Sequence, residues 1–310
     1  MAAGQCAMSQ EVYHIPALLP QTIAALDVRP GGVYVDATYG GGGHSRAILA
    51  ALGRDGRLFG FDQDSDAIAR ADADPRLTMV WGNFRYLANF LRFYGVESVD
   101  GILADLGVSF HHFDEADRGF SFRADARLDM RMNRRARLTA VEVINDYPEE
   151  RLADILRLYG EVQGARRMAA AIVRARSAGR IERVSRLLEV LEPLIDPRRQ
   201  KKELACVFQA LRIEVNGELD ALRRFLTASL EVLRPGGRLA IITYHSLEDR
   251  LVKNFMRSGN FEGRLEKDIY GRAHTPLRPC GSKPVTADAA EVEANPRSRS
   301  AKLRVAERIA

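Results

Sequence analysis

Residues 33–44 read VYVDATYGGGGH and residues 57–62 read RLFGFD, and these two stretches decide the fold. An apolar run ends at Asp36, consecutive glycines follow, and from His44 the apolar residues recur at helical spacing. The order strand, glycine loop, helix, strand is the beginning of a βαβ unit that binds a nucleotide-type ligand at its loop. Glycines suit such a loop because a backbone without Cβ takes positive φ and lets a flat ligand approach the chain.

Two acidic residues narrow the class of ligand. Asp62 ends the second strand about 20 residues past the loop, where a carboxylate accepts the two hydroxyls of a ribose. Asp36 precedes glycines that are consecutive, Gly40 to Gly43, whereas a dinucleotide site spaces them as G-x-G-x-x-G. A carboxylate there repels a pyrophosphate and attracts an ammonium group, which favours S-adenosylmethionine. An NAD-dependent oxidoreductase of Rossmann type stays the alternative.

The composition is that of a globular protein. Of 310 residues, 46% are hydrophobic, which is enough to bury a substantial core. No apolar run approaches the roughly 18 residues of a membrane span, and residues 1–11 lack a signal-peptide layout, so we expect a cytoplasmic protein without a membrane partner. The cysteines form no C-x-x-C pair, and the adjacent His111 and His112 lack a third ligand, so we predict no metal site.

The net charge of +5 lies entirely in the middle of the chain. Residues 113–212 carry 21 Lys and Arg against 16 Asp and Glu, whereas the remainder carries 25 of each. This surplus fits a polyanionic partner, and it equally fits the solvated faces of Arg-rich helices.

Strands and helices alternate in the first third of the chain, which predicts a parallel, doubly wound sheet. The predicted strands are 33–38, 57–62, 77–81 and 99–106, with helices at 44–52, 65–71 and 84–93. The pattern from 138 to 213 is helical, with a loop predicted at 193–202 from its two prolines and basic run.

The alternation then resumes, so the two ends of the chain must share one sheet. We predict a helix at 218–233, a turn at 234–237, a strand at 238–244, a helix at 247–256, an extended surface loop at 263–296 and a closing strand at 302–308. The fold class is therefore α/β, with residues 1–112 and 213–310 forming one discontinuous domain and 113–212 a helical insertion.

Several different short motifs are distributed along the chain from one end to the other. They are HIPALL (14–19), GGH (42–44), DLGVS (105–109), RGFSF (118–122), LDMRM (128–132), FQALRI (208–213), HSLEDR (245–250) and NPRSRSAKLR (295–304). In this order they resemble the MraW-type family of bacterial methyltransferases that act on small-subunit ribosomal RNA.

The resemblance implies a class I S-adenosylmethionine-dependent methyltransferase, with a Rossmann-like, mostly parallel sheet and an inserted all-helical domain. It implies methylation of the exocyclic N4 of a cytidine in small-subunit (16S) ribosomal RNA, at the decoding centre. The insertion is then expected to recognise the RNA. The cofactor contacts that the motifs imply, together with Asp36 and Gly41 from the loop itself, are Gly42, Gly43, His44, Asp62, Phe84, Asp105 and His112.

Three residues at and after the end of the fourth strand are predicted to serve the reaction. Asp105, Ser109 and Phe110 stand where related amino-methyltransferases place an acidic or amide residue and an aromatic. We expect Asp105 to accept from the cofactor or the substrate amine, and Phe110 to stack on the base, unless it belongs to the core. His245 or Ser246 is predicted to cap a helix rather than to catalyse.

Phosphate contacts are expected from basic residues of the insertion and the tail, with solvated helix faces as the alternative. These residues are Arg166, Arg167, Arg174, Arg176, Arg198, Arg199, Lys201, Lys202, Arg297, Arg299 and Arg304. The chain departs from the family at His112, where glutamine is usual, and at 202–207, where HPATRT is usual. The sequence leaves open a non-catalytic RNA-binding relative, a homodimer, and naked RNA against an assembled subunit as substrate.

Overall fold

The computed structural model describes residues 16–107, 116–267, 270–271 and 275–309. Three of the predicted site residues, Ser109, Phe110 and His112, lie outside the described residues. Within these ranges, no helix is both long enough and apolar enough to cross a membrane.

One twisted sheet runs through the centre of the described chain. Its strands are β1 (Val33–Asp36), β2 (Arg57–Asp62), β3 (Leu77–Trp81), β4 (Val99–Asp105), β5 (Leu233–Thr243), β6 (Leu277–Pro279), β7 (Val285–Thr286) and β8 (Lys302–Arg308). The order is β3-β2-β1-β4-β5-β8-β6, with β7 also pairing β8. The first five strands are mutually parallel and β8 is antiparallel to its neighbours, which confirms the predicted mostly parallel sheet.

The strand order reverses between β1 and β4, because β2 and β3 lie on one side of this pair and β5 on the other. Open parallel sheets bind ligands at such a crossing, beyond the carboxyl ends of the strands. The glycine loop leaves β1 at this point.

Helices surround the sheet and fill the middle of the chain. They are α1 (Leu19–Leu26), α2 (Gly43–Ala51), α3 (Ser65–Ala69), α4 (Leu87–Phe93), α5 (Ala140–Asp146), α6 (Glu149–Gly160), α7 (Ala165–Ser177), α8 (Val184–Leu191), α9 (Gln200–Asn216), α10 (Glu218–Val232), α11 (Ser246–Ser258) and α12 (Ala289–Ala294). A separate apolar core lies among α5 to α9 and the segment before them, and its buried members run from Phe120 to Val215. The predicted domain boundaries remain predictions.

The sequence analysis predicts a loop at 193–202, a turn at 234–237 and an extended loop at 263–296, and each of these predictions is wrong in part. The loop predicted at 193–202 ends at Arg199, because α9 begins at Gln200 and takes Lys201 and Lys202 into its first turn. Prolines ahead of a first turn do not oppose a helix that starts after them. The turn at 234–237 lies within β5, whose pairing with β4 continues on both sides of a register shift.

The tail at 263–296 is not extended throughout. It contributes the short strands β6 and β7, which hydrogen-bond along β8 as edge strands, where proline is tolerated. It also forms α12, capped by the Asp288 carboxylate, which accepts from the Glu291 amide. Short edge strands carry little periodicity, so the sequence pattern did not predict them.

A polar joint connects the helical segment to the sheet. Gly217, with φ of 58°, separates α9 from α10, and Arg212 donates to both carboxylate oxygens of Glu218 across it, at 2.9 and 2.8 Å. The Asn216 amide donates to the Met130 carbonyl and accepts from the Met132 amide, at 2.8 and 2.7 Å. The end of α9 therefore holds the segment 130–132 against the sheet domain.

Phe225 is the buried side chain on α10 that sets the position of Phe84, with ring centroids 5.1 Å apart. We expect Phe225→Ala to lower the free energy of unfolding by about 3–5 kcal/mol, because it leaves a cavity. Phe93 is 80% exposed, and Phe93→Ala is the matched control, with an expected change within about 0.5 kcal/mol. Urea melts measure both, and equal losses would contradict this packing.

Candidate active site

The glycine loop has a conformation that other residues would strain. Gly42 has φ of 73°, and a Cβ on it would lie 2.6 Å from the Tyr39 hydroxyl oxygen. A Cβ on Gly43 would overlap the ring of Pro16. Gly41, in contrast, is exposed and has open space around it. The loop is thus packed on one side and open on the other, where a ligand can approach the backbone.

Asp36 lies beneath this loop, with only 1% of its surface exposed. Its carboxylate accepts from the Ser45 hydroxyl at 2.7 Å and from the Thr38 amide at 3.1 Å. Burial raises the pKa of Asp36 above its ordinary value, and the Ser45 hydroxyl opposes that shift. Through these two hydrogen bonds the Asp36 carboxylate connects the loop to the start of α2. Its predicted contact with a ligand ammonium stays a prediction.

Asp62 joins the end of β2 to the same loop. One carboxylate oxygen accepts from the Gly40 amide at 2.9 Å, and the other accepts from the Asp64 amide at 2.8 Å. The side chain is only partly buried. Its place at the strand end fits the predicted ribose contact, which remains a prediction.

A cleft lies beyond the carboxyl ends of the strands. Its walls include Phe84, Leu106, Gly107 and Met132, and its polar groups include the amides of Gln63 and Asn83. The Asn83 amide nitrogen donates to the Gln63 side-chain oxygen at 3.1 Å. Apolar walls with a few fixed amides suit a flat heterocycle such as adenine. The structure places Phe84 in this cleft, as the prediction of an adenine contact requires.

Asp105 ends β4 and is contacted from two other elements. One carboxylate oxygen accepts from the Tyr244 hydroxyl at 2.8 Å, and the other lies 3.7 Å from Nδ1 of His44. The Asp105 amide donates to the Thr38 hydroxyl oxygen at 2.6 Å. Burial raises the pKa of Asp105 to about 6, although His44 and Tyr244 oppose the shift. The structure thus brings together His44 and Asp105, which the sequence analysis named separately.

His44 is 5% exposed, and its second ring nitrogen, Nε2, contacts a backbone carbonyl. Nε2 lies 3.1 Å from the Ala17 carbonyl oxygen, so in the neutral ring the proton resides on Nε2. Burial lowers the pKa of His44, which favours this neutral form. Nδ1 lies towards Asp105, whose negative charge favours the protonated ring in opposition to burial.

Tyr244 is a site residue that the sequence analysis missed. It stands directly after β5, and its hydroxyl reaches the end of β4 because the two strands are neighbours in the sheet. The available signal was an aromatic residue immediately before the HSLEDR motif. Sequence alone does not show which strand lies beside β4.

His245 caps α11, as predicted, since its Nδ1 accepts from the Glu248 amide at 3.5 Å. Glu248 is 3% exposed and accepts from the Tyr244 amide at 3.1 Å. Burial opposes ionisation of Glu248, but His245 and Arg212 outweigh it and hold its pKa below the ordinary value. The ligand atoms of Glu218, His245 and Glu248 lie within 4.8 Å of one another. Because Arg212 already binds both oxygens of Glu218, we infer no cation site from this cluster.

Basic side chains of the insertion differ in what they contact. Arg176 donates to the Ile144 and Tyr147 carbonyls at 2.8 and 2.7 Å, and Arg304 of the tail pairs with Asp249 at 2.6 Å. These two arginines therefore stabilise the fold. The exposed ones are Arg166, Arg167, Arg174, Arg198, Arg199, Lys201, Lys202, Arg297 and Arg299.

Part of this set forms a basic cluster, defined as Arg166, Arg198, Arg199, Lys201 and Lys202, at the starts of α7 and α9. Arg199 donates to the Gln163 side chain at 2.9 Å, which joins these two helix starts.

Glu161 connects the helical segment to the strand end beside Tyr244. Its carboxylate accepts from the Ser246 hydroxyl at 3.1 Å, directly after β5. A Cβ on the preceding Gly160 would lie 2.6 Å from the Cys206 carbonyl oxygen, so α6 and α9 approach closely there. The departure from the family pattern at 202–207 therefore lies on α9 beside the candidate site, next to the basic cluster.

The chain is similar to known proteins along nearly its whole length. A sequence model of the MraW methylase family matches residues 11–309. The chain is 57% identical to ribosomal RNA small subunit methyltransferase H of Bacteroides thetaiotaomicron, covering 96% of this chain and 97% of that protein. It is 53% identical to the protein of the same name from Porphyromonas gingivalis, covering 98% and 99%. Among solved structures, an rRNA methylase from Streptococcus thermophilus aligns with a TM-score of 0.40 at 11% identity, covering 95% of this chain and 98% of that one.

The loop geometry predicts that substitution of two neighbouring glycines changes stability to different extents. Gly42→Ala should lower the free energy of unfolding by more than about 1–2 kcal/mol, because positive φ strains an L-residue and Tyr39 must also move. Gly41→Ala meets open space and is the matched control, with a change within about 0.5 kcal/mol. Chemical denaturation measures both values. Equal stability of the two variants would disprove the described loop conformation.

Proposed function

The chain belongs to the MraW methylase family, and from this premise we propose that it methylates the exocyclic N4 amine of a cytidine in small-subunit (16S) ribosomal RNA, at the decoding centre. It is a methyltransferase of small-subunit ribosomal RNA, and its cofactor is S-adenosylmethionine. The position on the base and in the RNA is the part that we propose. A cytoplasmic location follows from this proposed substrate.

The residues at the β1/β4 crossing fit S-adenosylmethionine. Asp62 at the end of β2 would hold the ribose, and Phe84 with the cleft amides would hold the adenine. Gly41, Gly42, Gly43 and the nearby carboxylates would hold the methionine part. When bound, this cofactor supplies a methyl group on a positively charged sulfur.

The single observation that carries the proposal is the Asp105 carboxylate at the end of β4. It is 18% exposed, so it is largely desolvated, and the next two residues, Leu106 and Gly107, line the cleft. With a pKa of about 6 it is mostly ionised at neutral pH and accepts hydrogen bonds. A cytosine amine offers two N–H donors, which an acceptor in this position can orient.

Methylation of a cytosine amine is difficult because the nitrogen lone pair is conjugated into the ring. An acceptor that binds an N4 hydrogen aligns the nitrogen and increases its electron density, and alignment lowers the barrier further. The nitrogen gains the methyl carbon and loses one proton. Asp105, with a pKa near neutrality, is suited to take that proton. Ser109 and Phe110 would hold the base, and they lie outside the described residues.

The basic cluster supports RNA as the polyanionic partner. It lies at the starts of α7 and α9, and the same helical segment contacts the strand end beside Tyr244 through Glu161. Phosphates bound there would place a flanking nucleotide close to the cleft. A target base must leave its stack to enter such a cleft, which favours a splayed or single-stranded segment.

Asp105→Asn tests the proposed catalytic acceptor. The amide keeps the shape of the carboxylate but loses its charge, so we expect transfer of labelled methyl to fall about 100-fold or more. The substrate is small ribosomal subunits that lack the modification, and Asp55→Asn, an exposed turn residue, is the matched control.

Mass spectrometry of the labelled nucleoside then decides N4 against other positions. Undiminished transfer by Asp105→Asn would refute the assigned role. Cofactor binding by the wild-type chain without any transfer would instead identify a non-catalytic relative, and preferential binding of NAD would identify an oxidoreductase.

The basic cluster makes binding depend on salt. Lys201→Ala with Lys202→Ala should weaken binding of small-subunit RNA at low salt and reduce the slope of log affinity against log salt by about 1.4, the value for two single-strand phosphate contacts. Arg54→Ala with Arg92→Ala removes the same charge from exposed positions that lead into the amino ends of β2 and β4. Filter binding at several salt concentrations gives both slopes. Identical slopes for the two double variants would exclude the cluster.

A further inference from the structure

We propose that Tyr244 is a positioning residue for methyl transfer, whose hydroxyl holds the Asp105 carboxylate in the acceptor state beside the residues that line the cleft. This inference rests on the proposed role of Asp105, and it adds the group that makes that role possible.

The hydroxyl, the backbone amide and the ring of Tyr244 each have a defined contact. Its hydroxyl donates to Asp105 at 2.8 Å, and its backbone amide donates to Glu248 at 3.1 Å. Its ring packs against Gly107, which has φ of 120°, and a Cβ there would lie 3.1 Å from the ring. Gly107 also lines the cleft. The ring therefore lies directly behind the cleft wall, with its hydroxyl directed at one oxygen of Asp105.

Four groups face Asp105 from the elements around it. Asp36 on β1 and Glu248 on α11 are acidic and disfavour a further negative charge. His44 on α2 lies 3.7 Å away, but its Nε2 proton is committed to the Ala17 carbonyl. Among the described side chains, the Tyr244 hydroxyl is then the one that donates a hydrogen bond to this carboxylate.

A donated O–H bond favours the ionised form of a buried carboxylate. Burial acts in the opposite direction and raises the pKa of Asp105 to about 6. Burial also raises the pKa of Tyr244, as does the neighbouring Asp105, so the hydroxyl keeps its proton throughout the neutral range. Removal of the hydroxyl should therefore raise the Asp105 pKa further and leave the carboxyl protonated near neutral pH.

Tyr244→Phe tests this through the pH dependence of methyl transfer to small subunits that lack the modification. We expect the midpoint of the acidic limb to move up by about 1–2 pH units, the effect of one charge-assisted hydrogen bond. The rate at pH 7 should fall about two- to tenfold, while the rate at pH 8.5 should recover towards that of the wild type. KM for the subunit should not change. Tyr94→Phe, remote from the cleft, is the matched control.

A second measurement does not depend on RNA. The affinity for S-adenosylhomocysteine, measured by calorimetry from pH 5 to 8.5, should weaken below a midpoint that is absent in Asp105→Asn and therefore reports Asp105, one of the predicted cofactor contacts. That midpoint should also move up in Tyr244→Phe. If the wild-type chain transfers no methyl group, the proposed function fails, whereas this binding series still decides the role of Tyr244.

An isosteric variant keeps the test decisive if Tyr244→Phe does not fold. Replacement of Tyr244 by 3-fluorotyrosine makes the phenol a stronger donor without removing it, so both midpoints should move down. Midpoints that equal those of the wild type in these variants would overturn the inference. A uniform loss of rate at every pH would also overturn it, because a merely structural role predicts that result.

Discussion

Three neighbouring parallel strands, β2, β1 and β4, each end in an aspartate, and the site depends on how these like charges are held together. Parallel pairing places Asp62, Asp36 and Asp105 along one edge of the sheet. Two of the three carboxylates are stabilised by donors from the loops and the helix start next to them. Asp62 and Asp36 accept from amides and a hydroxyl of the loops that they organise. Asp105 depends on a side chain from the next strand, which makes it the most adjustable of the three.

The conformation of the glycine loop depends on these acidic residues. The loop is held from below by Asp36 and from the side by Asp62, and its exposed face is left free at Gly41. The helical segment completes the edge from above, since Asn216 holds residues 130–132 over the cleft. Sheet and helical segment thus meet at the same edge.

Most of the fold could be predicted from the sequence because it follows from strong local patterns. Strands β1, β2 and β4 are nearly continuous apolar runs and largely buried, and β8 begins with alternating polar and apolar residues from Lys302 to Val305. The start of α9 and the edge strands of the tail were not predicted, because basic residues and prolines obscure a helix start and two-residue strands have no period. The strand ends Asp62 and Asp105 could be named from sequence for the same reason as the strands themselves.

The partners of those strand ends were harder to predict. Tyr244 is 139 residues from Asp105 along the chain, and only the order of strands in the folded sheet makes them neighbours. The same holds for Asn216 and Met132, which are 84 residues apart. Local pattern therefore identifies which groups carry chemistry, whereas the groups that tune them come from elements that meet only after the sheet is assembled.

The acceptor state of Asp105 has a cost that the rest of the chain must offset. A carboxyl whose pKa rises from 3.8 to about 6 on folding destabilises the folded state when ionised, by roughly 3 kcal/mol. Because a raised pKa penalises only the ionised carboxyl, this free-energy cost is absent below about pH 4, grows between there and pH 6, and is complete at neutral pH. An amide in the same place would avoid it and still accept from Tyr244. An ionisable group can take up a proton where an amide cannot, and this is the physical basis of the proposal that the chemistry lies at the end of β4.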